Sequence, residues 1–219
     1  MLRLIVWAFI GFVFGFRSTQ RARTLISTAH ERGLSYVNGT WHTTSNYTFM
    51  GAIVGLIAYW LNASTFDSDL AVLGFGVFTS ACITHALVDI DTHLLVRQVT
   101  TRGCLLGLPP LIIAAIVDEA PRQLLTALCG VLLATAVMVV WRALSRGQLG
   151  SGDVAVAPML GFFLGWIGLE VVLAGLLIAA LLGWVFALIG LLTRRLRRHS
   201  LFAFGPFLMV GAQIAVWTS

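Results

Sequence analysis

Long, unalternating apolar runs recur along almost the whole chain, and they limit its fold more than any other feature. Each approaches the roughly 20 residues that a helix needs to cross hydrocarbon, a medium in which only helices and closed barrels satisfy every backbone N–H and C=O. Without the two-residue alternation of a barrel strand, the expected class is all-α, a polytopic transmembrane bundle of about eight helices. With 58% of the 219 residues hydrophobic and 11% charged, and a mean hydropathy of +0.93, the solvent of this chain is the lipid bilayer. Hydropathy windows place helices near 2–17, 47–62, 70–88, 104–117, 122–142, 154–169, 171–192 and 201–218. The fourth and sixth are short, and Pro109, Pro110 and Pro158 mark them as kinked, partly re-entrant or completed by flanking residues. The connections are too short for a second domain, so residues 1–219 read as a single integral membrane domain with one polar loop near 17–47.

The basic residues test this layout. All fourteen are arginine, with no lysine, a usage that suggests a GC-rich genome. Arg17, Arg21, Arg23, Arg32, Arg97, Arg102, Arg142, Arg146, Arg194, Arg195, Arg197 and Arg198 fall on one side of the segmentation, and only Arg3 and Arg122 on the other. The positive-inside rule makes the first side cytoplasmic. The formal net charge of +5 therefore orients a membrane protein and implies no nucleic-acid partner. Arginines follow the first apolar segment, Leu4 to Phe16, which reverses the order of a secretory signal and reads as a retained helix with its N-terminus outside the cytoplasm. Cys82, Cys104 and Cys129 stand singly, as ordinary buried thiols, and His30 and His42 in the polar stretch read as solvated loop residues. No metal or cofactor is expected.

Three carboxylates stand at the cytoplasmic ends of hydrophobic segments: Asp89 and Asp91 after the third, and Asp153 at the start of the sixth. An ionisable group at the edge of hydrocarbon is costly and is seldom kept without a partner, a water cavity or a task. Any one of them alone reads as a helix-end residue, Asp153 being favoured by the dipole of the helix it precedes. The run Gly150-Ser151-Gly152-Asp153 changes the weighing, because its two glycines allow the backbone to approach a neighbour closely. Two carboxylates sharing such a cleft do not ionise together, and an acid–base pair of that kind activates water for peptide hydrolysis. No G-x-S-x-G, H-E-x-x-H or P-loop pattern offers a competing chemistry. A small proton or cation transporter would use the same acids, though no inverted repeat is visible.

The stretch Arg146-Gly147-Gln148-Leu149-Gly150-Ser151-Gly152-Asp153-Val154 resembles the GxGD motif of the type IV prepilin leader peptidases, which are membrane aspartyl proteases. Upstream, Asp89-Ile90-Asp91-Thr92-His93-Leu94-Leu95, with Val99-Thr100 further on, is similar to the family's other aspartate motif. Phe204-Gly205-Pro206-Phe207-Leu208 resembles the run that opens its last helix, so the matches span roughly 80–218. The resemblance implies Asp89 and Asp153 as catalytic, Gly150 and Gly152 as the active-site loop, and Asp91 as the lesser candidate. It further implies a bacterial inner-membrane enzyme, active on the cytoplasmic side, that cleaves the leader of a prepilin-like or pseudopilin-like membrane protein. Val96-Arg97 replaces the family's Pro-Asp pair, and Ala155 replaces its lysine. The zinc-holding cysteine pairs of many bacterial members are missing, and no methyl-donor site is visible, so cleavage without N-methylation is expected. An inactive homologue that scaffolds a pilus or secretion assembly is the reading that those departures leave open.

Overall fold

A computed structural model describes residues 1–33, 45–145, 149–193 and 203–219. Among them are eight helices: α1 (Leu2–Glu31), α2 (Ser45–Thr65), α3 (Asp69–Thr92), α4 (Arg97–Val117), α5 (Arg122–Leu144), α6 (Ser151–Ile167), α7 (Leu169–Leu192) and α8 (Gly205–Trp217). No strand occurs among the described residues. Six of the helices are long and apolar enough to cross a membrane, while α6 and α8 are shorter. The outer faces of the bundle are apolar too. Leu125, Leu128 and Leu132 on α5, and Leu173, Leu177, Leu181, Trp184 and Leu188 on α7, point outward at helical spacing. Soluble monomers do not expose apolar faces of that extent, and lipid is the medium that fits them.

Helix α3 is the hub. Of its most apolar stretch 67% is inside the protein, against 22–44% for the other five long helices, and it packs on α1, α2, α4 and α8. Helix α6 reaches it through aromatic rings: Phe78 stacks on Phe163 with centroids 4.5 Å apart, and Phe75 meets Phe163 and Trp166 edge-on. Phe78 lies eleven residues before Asp89, and Phe163 ten residues after Asp153. Because α3 and α6 run in opposite directions, nearly equal helical lengths from one stacked pair bring the two aspartates to the same level.

The remaining contacts rely on small residues. Gly130 of α5 lies against Gly161 and Gly165 of α6, where a β-carbon on Gly161 would come within 2.8 Å of the Gly130 carbonyl carbon and the Val131 Cα. Gly11 and Gly15 of α1 meet Gly51 and Gly55 of α2 in the same way. These pairs are spaced four apart, the pattern by which membrane helices bring backbones into contact. At the end remote from the aspartates, Arg3 Nε and Trp7 Nε1 both donate to Asp69 Oδ1, at 2.7 and 2.9 Å. The alternating-loop reading puts Arg3 and this connection on one face, and they meet there.

Four expectations are corrected. Residues 17–31 are helix, not loop: Ser18, Thr19, Ala22 and Ile26 are buried, and Thr19, Thr24 and Thr28 satisfy their hydroxyls on carbonyls four residues back. His30 accordingly lies in helix, with Nδ1 2.9 Å from the Ile26 carbonyl; His42, Arg146 and the arginines at 194, 195, 197 and 198 lie outside the described residues. Helix α4 is not short, since Arg97–Gly103 extends it by two turns and Pro109 and Pro110 lie within it. Cys82 is buried, but Cys104 is half-buried and Cys129 exposed on the outer face of α5, where an apolar thiol is compatible with lipid.

A Gly161→Leu substitution forces α5 and α6 apart and is expected to cost about 1–3 kcal/mol. It should lower the thermal unfolding midpoint in detergent, whereas Leu132→Ala on the outer face should leave the midpoint nearly unchanged.

Candidate active site

Asp89 and Asp153 come to the same end of the bundle, on helices that end there. Asp89 sits in the last turn of α3, which continues to Thr92, so the sequence-based limit at 88 fell one turn early. The helix stops because His93 adopts the left-handed conformation (φ 53°), its N–H bonding the Asp89 carbonyl at 2.9 Å. Asp153 occupies the third position of α6, inside the helix it was expected to precede. Its Oδ2 accepts the N–H of Gly150, the residue that caps that helix, at 3.2 Å. This is half of a capping box, formed here without a capping side chain.

Both carboxyl groups are almost out of solvent, 5% exposed for Asp89 and 7% for Asp153, and each lies within electrostatic range of the other. Leu95, in the short connection between α3 and α4, lies beside Gly152 and Gly205, the neighbours of the two acids. A β-carbon on Gly152 would stand 3.1 Å from the Leu95 Cβ, and one on Gly205 would stand 3.1 Å from the Leu95 Cδ2. The close neighbour of Gly152 is thus Leu95 of a connection, where a second helix was expected.

Asp89 has a partner that sequence reasoning missed. Its Oδ2 accepts the backbone N–H of Gly205, the first residue of α8, at 2.9 Å. Phe204 holds the start of that helix in place, edge-on to Trp141 of α5 at 5.3 Å and against Gly183 of α7. The resemblance drew attention to residues 204–208, but nothing in their order says that a glycine amide meets an aspartate 116 positions away. His85 was missed as well, although an ionisable side chain inside an apolar run was a visible signal. It is fully buried one turn before Asp89, with Nε2 3.1 Å from Thr100 Oγ1 of α4.

Asp91, the lesser candidate, is fully buried and lies about 200° around α3 from Asp89. That turns it toward the flank where Val88 packs against Ala22 and Ile26 of α1, away from α8. Of the replaced positions, Arg97 and Ala155 are exposed and Val96 is half-buried at the cap of α4. Among the described residues, no group of three or more His, Cys, Asp or Glu side chains converges as a metal site would.

A family model described as the type IV leader peptidase family matches residues 76–188. No curated protein and no solved structure matches the chain. The matched segment runs from the middle of α3 into α7 and contains Asp89, Gly150, Gly152 and Asp153. It covers half of the chain, and on that extent the protein belongs to the type IV leader peptidase family.

Proposed function

We propose that this protein is an aspartic endopeptidase in which Asp89 and Asp153 share one water molecule at the cytoplasmic edge of a bacterial inner membrane. The observation that carries the reading is the pair itself. Two buried carboxyl groups from different helices lie at one level, and each has one oxygen engaged by a backbone N–H. Among the described residues no hydrogen bond engages the second oxygen of either group, and in this reading it serves a water or a substrate.

One carboxylate takes a proton from the water as its oxygen attacks the scissile carbonyl carbon, and the other, protonated, donates to the carbonyl oxygen. Collapse of the resulting diol breaks the C–N bond, and the leaving amine takes up a proton from the pair. No covalent intermediate with the protein forms. The helix-end position of both aspartates suits a substrate whose own helix lies in the bilayer and whose leader emerges at its surface. A prepilin-like chain with a short basic leader has that form. Arg97 and Ala155 are exposed, so we read the departures at these positions as bearing on the approach of a substrate rather than on the chemistry, which favours an active enzyme over a scaffold.

Co-expression with a prepilin from the same genome tests the reading. At matched membrane levels, Asp89→Asn and Asp153→Asn should each reduce leader cleavage by at least about a hundredfold, the contribution of a positioned acid or base. Asp91→Asn should retain most of it. Absence of cleavage by the wild type would return the protein to the scaffold or transporter reading, and cleavage that survives both of the first two changes would remove the aspartates from the chemistry. A second expectation concerns metals: the purified enzyme should cleave at an unchanged rate after exhaustive treatment with EDTA, and loss of activity restored by a divalent cation would contradict a mechanism of two carboxyl groups alone.

A further inference from the structure

We propose that α8 is a positioning element of the active centre: the Gly205 amide aims Asp89, and a buried polar cluster around Thr79 and Gln213 fixes the level at which that amide stands. The inference rests on Asp89 being a reacting carboxyl group.

The amide is singled out by the local sequence. A helix leaves its first N–H groups without intrahelical partners, and of the first four residues of α8 only Gly205 directs one outward. Pro206 has none, and the N–H groups of Phe207 and Leu208 turn back to the Phe204 carbonyl at 3.0 and 3.2 Å. Glycine is required for the approach. A β-carbon at 205 would lie 2.6 Å from Asp89 Oδ2 and 3.0 Å from its Cγ, so any side chain displaces the carboxyl group that the amide holds.

The polar cluster lies deeper in the bundle. Asn62 Nδ2 of α2 donates to Thr79 Oγ1 of α3 at 3.0 Å, and that hydroxyl donates to Gln213 Oε1 of α8, also at 3.0 Å. Gln213 Nε2 lies 3.7 Å from Cys82 Sγ, and Trp217 Nε1 donates to Asn62 Oδ1 at 2.9 Å. Asn62, Thr79 and Gln213 are 0%, 1% and 7% exposed. Any other alignment of these helices would leave buried polar atoms unpaired, which is how such networks specify a single register.

The two attachments share one seam. Thr79 is ten residues before Asp89 on α3, and Gln213 eight residues after Gly205 on the antiparallel α8, spans of about 15 and about 12 Å. A slip of α8 by one residue, about 1.5 Å, would break both. Thr79 thus acts on the active centre through Gln213, the rigid helix and Gly205, without touching either aspartate.

The test combines kinetics with amide-resolved hydrogen exchange on the full-length protein in detergent, with folded amounts matched. Gly205→Ala and Thr79→Val should each lower kcat roughly ten- to a hundredfold with KM within about twofold, as expected for a misplaced reacting group. Thr79→Ser, which keeps the hydroxyl, should cleave like the wild type. The double variant should be no slower than Gly205→Ala alone, because both act on one position. The Gly205 amide should exchange slowly in the wild type and in Thr79→Ser, and fast in Asp89→Ala and in Thr79→Val. Wild-type kcat in Gly205→Ala, effects that multiply in the double variant, or a protected Gly205 amide in Thr79→Val would each overturn the proposal. Absence of cleavage by the wild type would instead count against the protease reading, and the exchange result would still show whether Thr79 controls the Gly205–Asp89 bond.

Discussion

In a helical membrane protein the backbone has almost no hydrogen-bond donors to offer, because each helix consumes its own, and only the first turns keep N–H groups free. The aspartate pair is assembled on those exceptions. Asp153 takes an N–H from the cap of its own helix, and Asp89 takes one from the start of α8. A carboxyl group near hydrocarbon needs such partners, and two helix starts together with one helix end supply them within a small volume. The opposed directions of α3 against α6 and α8 follow from the same requirement, since an aspartate in the last turn of one helix meets donors only in the first turns of others.

Much of this was legible in the sequence, for physical reasons that also mark where reading stopped. Hydropathy located all eight helices because lipid demands an apolar surface on every span, and the arginine pattern ordered their ends because only one face retains positive charge. The same criterion failed between Arg17 and Glu31, where polarity was equated with loop. A helix whose threonines bond back to its own carbonyls is polar in composition and regular in backbone. The limit of α3 was misplaced for a related reason, as two aspartates look like an end to a hydropathy window while the backbone continues to Thr92.

The candidate site was legible to a similar depth. Asp89 and Asp153 were singled out because an acid at a hydrophobic boundary is unusual wherever it occurs, and Gly150 and Gly152 because glycines beside such an acid allow a close backbone approach. The partners of those acids were not found, since Gly205 contributes an amide, which every residue but proline possesses, and Leu95 contributes bulk. Such roles depend on tertiary position and leave no mark in composition. The family match stops at residue 188, short of α8, and leaves α1 and α2 outside it as well, although Asn62 of α2 and Gln213 of α8 both bond to Thr79.

Helix α1 has thirty residues, about 45 Å of helix against a hydrocarbon layer of about 30 Å. Such a mismatch is relieved by tilt or by projection beyond the lipid. Its last three turns bury Ala22 and Ile26 against Val88, beside the end of α3. The protein wall on that flank is therefore longer than the hydrocarbon layer is thick. A side chain near the headgroups would ordinarily feel the high permittivity of interfacial water, but one packed against an overlong helix is kept in a protein dielectric at the same depth, as Val88 is here. The excess length of α1 thus carries the electrical insulation of the bundle interior outward on that flank, beside the helix end that bears Asp89.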